Sequence, residues 1–585
     1  MTGIGRSLIG RCFVALLPQI ALGAAIGQAQ TFPPGIQSTP VPQGSPIPAE
    51  APKPPPLTAP PAPPAPLPAP AALPAETANV VSVAIEGATA YPAPELAAKT
   101  NGLVGPRTSW QDIEAARRAI LLLYRNDDYP YVTVRARLDK AGVLHFAVAE
   151  GYIADVKLSG DVGPVGTLVL RFLNHITEQR PISNATIEHW LLLANSIPGL
   201  QIQPVIQPSE REPGALTLVA KVSHALVSGS VSADNNAFRK TGAGEGLLTI
   251  GVNSLTSLGE RTEMSLYLAG AAFPGSSGRQ IFGQASEQFF VGGSGLSVRL
   301  YGGAGDTRPC CDLASIGYDG KTTVFGAQVT YPVILSRRQR LYVSADFDAL
   351  DGGTLEEGSR ASGDSLRIAR IEANDSISDV LLGTQFDGLS TVSVRVSHGL
   401  GVFGGSGNGR PDAGRLNENI GFTKVNAELS RDQTLFTVPQ GPRISLFGLA
   451  AGQGSKDIMP TAEEFYLGGL NYTRGFYSGE VTGDNALALT AELRVSSSYT
   501  ADLFGTPLAI APQLYGFYDW GETWQNQSSD ANQRLRTYGI GVRADIAQTL
   551  KLELEGLHRI TRQVGGASVA PEASNAVYWR VVTTF

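Results

Sequence analysis

From Leu226 to the end of the chain, apolar and polar residues alternate in segments of about ten, with no helical period among them. In "RLYVSADF", residues 340–347, Leu341, Val343, Ala345 and Phe347 share one face, and Arg340, Tyr342, Ser344 and Asp346 share the other. "RTEMSLYLAG" (261–270), "GLSVRLYGG" (295–303) and "KLELEGL" (551–557) read the same way. There are 16 such segments, from 226–235 to 575–585, and the turn-rich connections between them are alternately short and long. An even number of two-faced strands joined in that rhythm predicts a 16-stranded antiparallel transmembrane β-barrel over residues 226–585. A water-soluble propeller or solenoid would show a repeat motif, and none is present. The last segment, "NAVYWRVVTTF", sets Val577, Trp579, Val581, Thr583 and Phe585 on one face and Arg580 on the other. Lipid outside and water inside account for that division.

Upstream the period changes. "VVSVAIEG" alternates as a strand, and "TSWQDIEAARRAILLLYRNDD" recurs at helical spacing through Trp110, Ile113, Arg117, Ile120 and Tyr124, widened by Leu121 and Leu123. Thr108 and Gln111 stand three apart as a capping box for that helix. Two strands, "YVTVRARL" and "VLHFAVAEG", follow. The same order recurs in "IADVKLSG", two helical stretches (165–176 and 184–197), "LQIQPVIQP" and "GALTLVAKVS". Residues 79–150 and 151–225 are therefore expected to be two α+β modules of one design, each leaving an edge strand free.

Composition fills in the N-terminus. Arg6 and Arg11 precede the apolar "CFVALLPQIALGAAI", and "GQA" ends at Ala29, which reads as a secretory signal peptide over 1–29. Residues 30–78 read as a semi-rigid tether, because 31–76 holds 18 of the 39 prolines and three charged residues. A net charge of −7 gives no basic footprint for nucleic acid. Cys12 would leave with the signal, so only the adjacent Cys310 and Cys311 remain, either as a vicinal disulfide or as two free loop thiols. The six His are scattered, with no HExxH or CxxC spacing, and no cofactor or metal site is expected. "GAGEG" and "GSGNG" read as loop glycines, and no Ser-His-Asp arrangement is recognisable, so an enzyme is not expected.

One stretch stands apart. "YLGGLNYTRGFYSGEVTGDNA", residues 466–486, is a glycine-rich connection holding a single basic residue, Arg474. If this connection folds into the barrel, a buried guanidinium requires a carboxylate, since an unpaired one costs several kcal/mol. In "LAIAPQLYGFYDWGETW", Leu508, Ile510, Pro512, Leu514, Gly516, Tyr518 and Trp520 suit lipid, which turns Gln513, Tyr515, Phe517, Asp519 and Gly521 inward. Asp519 is thus the expected partner of Arg474, with inward Glu492 as its rival.

Two modules, a 16-segment barrel, "TRGF" in the sixth long loop and "FYDWG" on segment 13 together resemble the two-partner secretion (TpsB-type) transporters of the POTRA-plus-barrel superfamily. The resemblance covers residues 79–585. It implies a lumen loop motif at Thr473, Arg474, Gly475 and Phe476 that pairs with a barrel-wall motif at Phe517, Asp519 and Gly521. Thr473 departs from the Val or Ile usual in the family. A C-terminal aromatic, here Phe585, resembles the signal by which bacterial outer-membrane barrels engage the barrel assembly machinery. The resemblance further implies an outer-membrane location with periplasmic POTRA domains that capture an unfolded secreted exoprotein. The barrel, set in outer-membrane lipid, would pass this partner outward without ATP. Well-known members thread an N-terminal helix through the pore, and this chain offers no amphipathic helix between the signal and Asn79. An outer-membrane protein insertase of the same superfamily and a passive porin are the rival readings.

Overall fold

The computed structural model of the protein describes residues 77–160, 162–209, 212–270, 278–310, 314, 317–383, 385–503, 506–564 and 571–585. The signal peptide expected at 1–29, all but the last two residues of the linker expected at 30–78, and Cys311 lie outside them.

Sixteen strands close into one antiparallel barrel in chain order, from Val227–Asp234 round to Asn575–Thr584, which pairs back onto the first. The twelfth strand comes in two pieces, Asn485–Ser496 and Tyr499–Leu503, both paired with the thirteenth, Thr506–Trp524. Each of the sixteen alternating segments corresponds to one strand. The seventh and eighth, Gln339–Glu356 and Ser359–Asp379, outrun the alternation, which stops at 351 and resumes at 365. Their hairpin continues through Gly352↔Asp364, Gly353↔Gly363 and Thr354↔Ser362. Above the lipid both faces of a strand meet water, so the backbone ladder persists after the hydrophobic period has ended.

The barrel is apolar outside and polar inside. Met264, Phe325, Ile371 and Ile540 leave more than half of their surface uncovered on the outer face, whereas Glu263, Arg299, Asp348 and Arg370 are buried on the inner one. The connections at one rim run long, except the two-residue turn at Glu357–Gly358, and those at the other rim are short.

The short turns carry the second module. Its sheet runs in the order Tyr152–Ser159, Ala215–His224, Leu200–Pro208, backed by helices Gly166–Asn174 and Asn184–Asn195. Phe172, Leu173, Leu193 and Leu218 centre its core, which also takes in Phe290 and Leu335 from the ends of two barrel strands. The rings of Phe172 and Phe290 meet edge-on, 5.5 Å between centroids. Ser254 Oγ donates to the Pro198 carbonyl at 2.6 Å, Arg171 donates to the Gly292 carbonyl at 3.2 Å, and the Arg337 amide donates to Glu188.

The first module holds a three-stranded sheet in the order Ser82–Glu86, Val143–Ala149, Thr133–Leu138, and a separate pair, Thr77–Val80 with Gly105–Ser109. Its long helix, Trp110–Asn126, buries Ile113, Ala116, Ile120, Leu121 and Tyr124. The cap is not the expected one. Ser109 Oγ accepts from the Asp112 amide at 3.1 Å, while buried Thr108 donates its hydroxyl to the Leu103 carbonyl at 2.8 Å. The strand Gly105–Ser109, which the hydrophobic pattern does not reveal, pairs with Thr77–Val80 and so moves the helix start by one residue. Arg117 lies on the apolar face by spacing, but its head reaches the Val134 carbonyl (3.1 Å) and Glu114 (2.7 Å). A short helix, Ala93–Ala98, spans too few turns to show a period.

The two modules are joined by a cap that crosses between them. Asp128, at a φ of +68°, accepts from Asn184 N on its carbonyl (3.0 Å) and from Ala185 N on its carboxylate (2.8 Å). A residue of the first module thereby adds acceptors to the first turn of the helix that the second module rests on the barrel, beside the helix's own cap, Ser183, whose Oγ accepts from the Thr186 amide at 3.2 Å. Asp128→Ala removes the carboxylate acceptor of the Ala185 amide, keeps the carbonyl one, and leaves Ala in a left-handed conformation, together costing about 1–2 kcal/mol. Faster protease cleavage between the modules of the folded, full-length protein is the expected outcome; an unchanged rate would count against the cap.

Candidate functional site

Between the eleventh strand, Arg443–Ser455, and the twelfth, the chain does not stay outside but folds back into the barrel. It forms a small hairpin, Phe465–Leu467 against Val481–Gly483, closed by a bridge between Gly468 and Tyr472. Phe465, Leu467, Tyr472, Phe476 and Val481 bury themselves against Ala451, Ala486, Ala488 and Leu535 of the wall. Small wall residues leave the depth that this loop fills.

At the tip the backbone touches the wall closely. A Cβ added at Gly475 would lie 2.5–2.9 Å from the Thr537 side chain on the fourteenth strand, Gln533–Ile546. A Cβ at Gly521 would lie 2.8 Å from Thr473 Cγ2 and 2.9 Å from a Leu467 methyl. Thr473 stands at a φ of +53°, and its Oγ1 accepts from the Gly468 amide at 2.9 Å. A Val or Ile there could not supply that acceptor, which adds to the Tyr472 carbonyl, at 3.0 Å, as a second partner of the same amide. Phe476 is 1% exposed and lies beneath the Arg559 guanidinium, 5.6 Å from its ring centre.

Arg474 projects from this tip into a ring of acids. Its Nε and Nη2 donate to Asp519 Oδ2 and Oδ1 at 3.0 and 2.9 Å, and its own amide donates to Oδ2 at 3.0 Å. Nη1 donates to Glu492 and, at 3.3 Å, to Glu555 on the fifteenth strand, Leu550–Arg559. The guanidinium carbon lies 4.0 Å from the centre of the Phe517 ring. Asp519 is 0% exposed and takes a further bond from Thr490 Oγ1 at 2.9 Å. A two-pronged, charge-assisted contact of this kind fixes direction as well as position. The acids are shared in turn: Arg494 and Arg543 both reach Glu492, and the Tyr515 hydroxyl donates to Glu555 at 2.7 Å. Gly475 is held on its other side, where Arg559 Nε donates to its carbonyl.

Asp519 and Glu492 therefore act together on Arg474 and are not alternatives. The sequence turns Tyr515 inward without giving it a role, and it does not mark Glu555 or Arg559 as part of the site. "KLELEGL" does turn Glu553 and Glu555 to one face, but alternation alone cannot say which inward acid lies opposite a given loop residue.

Below the tip opens a cavity of about 1500 Å³, lined by Arg474, Tyr472, Arg299 and Glu372 from the barrel and by Leu193 and Gln201 from the second module. Two other expected residues lie away from it. Phe585 faces outward, 61% exposed, and its amide and carbonyl pair with Gly229 across the barrel closure at 3.0 Å each. Cys310 is disulfide-bonded and its amide donates to the Lys240 carbonyl at 2.6 Å in the outer loops. Among the described residues no three His, Cys, Asp or Glu side chains gather as a metal site.

Comparison with known proteins agrees with this architecture. The family profile described as "Haemolysin secretion/activation protein ShlB/FhaC/HecB" matches residues 216–544. The outer membrane transporter CdiB of Escherichia coli is 24% identical over 548 residues, spanning 86% of this chain and 82% of that protein. The solved structure of CdiB from Escherichia coli matches with a TM-score of 0.66 at 19% identity, covering 87% of this chain and 91% of that one. CdiB from Acinetobacter baumannii gives 0.58 at 14% identity, covering 87% and 90%. At these identities the structural matches speak to fold.

Proposed function

The chain belongs to the haemolysin secretion/activation family of outer-membrane two-partner secretion transporters, and on that premise we propose that its periplasmic modules recognise an unfolded exoprotein, which crosses the barrel without ATP. The observation that carries this reading is the Arg474–Asp519 contact inside a closed barrel, with a module seated at the inner mouth. A passive porin has no use for a loop held by a buried guanidinium and three carboxylates.

The route is supported by the second module's sheet. Leu200–Pro208 is an outer strand, paired on one side only, and its first residues, Leu200 and Gln201, line the cavity. An extended partner that added a strand to this edge would already point into the barrel. The sequence shows no Walker signature, so folding of the partner at the cell surface supplies the drive.

The test is co-expression with a large exported β-helical protein encoded next to this chain, scoring that protein in the medium. Release that depends on this chain supports secretion. Loss of outer-membrane barrels on depletion, with no effect on release, would favour the insertase.

A further inference from the structure

The loop's base makes a second contact that the reading so far does not use. Thr461–Glu463 forms a single turn of 3-10 helix ahead of the hairpin, and it directs two consecutive acids to different cations. Glu464 lies 3.3 Å from Arg415 of an outer loop, and Arg415 also holds Asp484 (2.6 Å) and Asp530 (2.8 Å). Glu463 instead turns down onto the wall. It meets Arg370 Nη2 of the eighth strand at 2.8 Å and Lys424 Nζ of the tenth, Thr423–Thr437, at 2.8 Å. Lys424 Nζ also donates to the Glu463 carbonyl at 2.7 Å, and Gln453 Nε2 donates to the same oxygen at 3.1 Å. Arg370 completes the group by pairing with Asp348, which accepts from the Tyr301 hydroxyl.

Glu463, Arg370, Lys424 and Asp348 are each no more than 7% exposed. Two cations and two carboxylates balance, so none is left uncompensated in the wall. The ion-pair partners are distinct from those of Arg474, although the Tyr472 hydroxyl of the tip donates to Glu428 of the same tenth strand at 2.7 Å. Arg474 is held by the twelfth, thirteenth and fifteenth strands, and Glu463 by the eighth and tenth. A loop ion-paired to two sectors braces the lumen across its width; without the Glu463–Lys424 pair, a neutral hydroxyl, that of Tyr472, reaches the tenth strand and the base can swing.

We propose that Glu463 is a positioning residue, a second latch that fixes the base of the lumen loop and keeps the barrel closed to ions while the Arg474 contact stays intact. The proposal rests on reading the barrel as a translocation path, but its readout needs no exported partner. Full-length protein is placed in planar lipid bilayers in potassium chloride, and current is recorded for the wild type, Glu463→Ala and the double variant Glu463→Ala/Lys424→Met. The double variant leaves the neutral Arg370–Asp348 pair and no charged tie between loop base and wall.

Both variants are expected to raise the mean current by about tenfold, equivalent to about 1.4 kcal/mol of lost preference for the closed state. Quiet barrels in both would overturn the proposal. So would current in Glu463→Ala that the double variant silences, because charge imbalance and not a lost tie would then be the cause. Heat-resistant migration on gels confirms that each variant is folded. Should Glu463→Ala fail that check, Glu463→Gln is read in the same way, with a smaller rise because Arg370 keeps one acceptor. A wild type that secretes no partner while the variants conduct would count against the proposed function and leave the latch standing.

Discussion

Arg474→Ala is expected to abolish release of the exported partner while the barrel keeps its heat-resistant, folded migration. The barrel is closed by backbone ladders on all sixteen strands, and none of those hydrogen bonds involves the Arg474 side chain. What the substitution removes is the charge that Asp519, Glu492 and Glu555 converge on. Asp519, with no solvent access, then faces the lumen without its main cation, a loss of about 3–5 kcal/mol for the contact. Among the described residues the tip keeps neutral or one-sided ties there, the residue-474 amide on Asp519 and Arg559 on the Gly475 carbonyl, so it stays near the wall but loses its fixed direction. Arg474→Lys should recover little, since an ammonium cannot bind both Asp519 oxygens in one plane. The measurement is partner protein in the medium against barrel recovered folded in the outer membrane. Full release by Arg474→Ala would remove the tip from the mechanism.

Gly521→Val is expected to give the same loss of release by a steric route with every charge in place. Valine suits a strand, and the thirteenth-strand ladder at 521 continues through Ala488 and Leu535 on either side, so the barrel itself should fold. The new side chain, however, would enter the space taken by Thr473 Cγ2 and Leu467, both under 3.0 Å from its Cβ. Overpacking of that order costs about 1–3 kcal/mol, and the loop, which is not woven into the ladder, is the part that yields. Release should fall by about tenfold or more, with a rise in ion current through the displaced tip. Gly521→Ala should show a smaller fall. Equal release by wild type and Gly521→Val would mean that the close approach at the wall carries no function.

How much of this could be read from the chain follows from where each signal arises. Lipid and water impose a two-residue period on the barrel wall, so the strands are legible as far as the lipid reaches and no further, as the Gly352–Gly363 end of the long hairpin shows. Tyr518 exposed and Asp519 buried on neighbouring positions obey the same rule, which is why Asp519 can be assigned to the interior. The period does not encode which strand lies beside which loop residue. Glu555 reaches Arg474 from 81 residues away, and Glu463 reaches Arg370 from 93, through register and shear that no local pattern carries. In the modules, the helix Trp110–Asn126 announces itself through Ile113, Ile120 and Tyr124, whereas its cap is decided by pairing with Thr77–Val80, a contact made at a distance.

The shared packing of Phe290 and Leu335 with Phe172 bears on the self-sufficiency of the second module. A module whose oily centre is finished by two residues of the cylinder is incomplete without those strand ends, so a fragment cut before residue 226 would display a greasy notch where Phe290 and Leu335 belong.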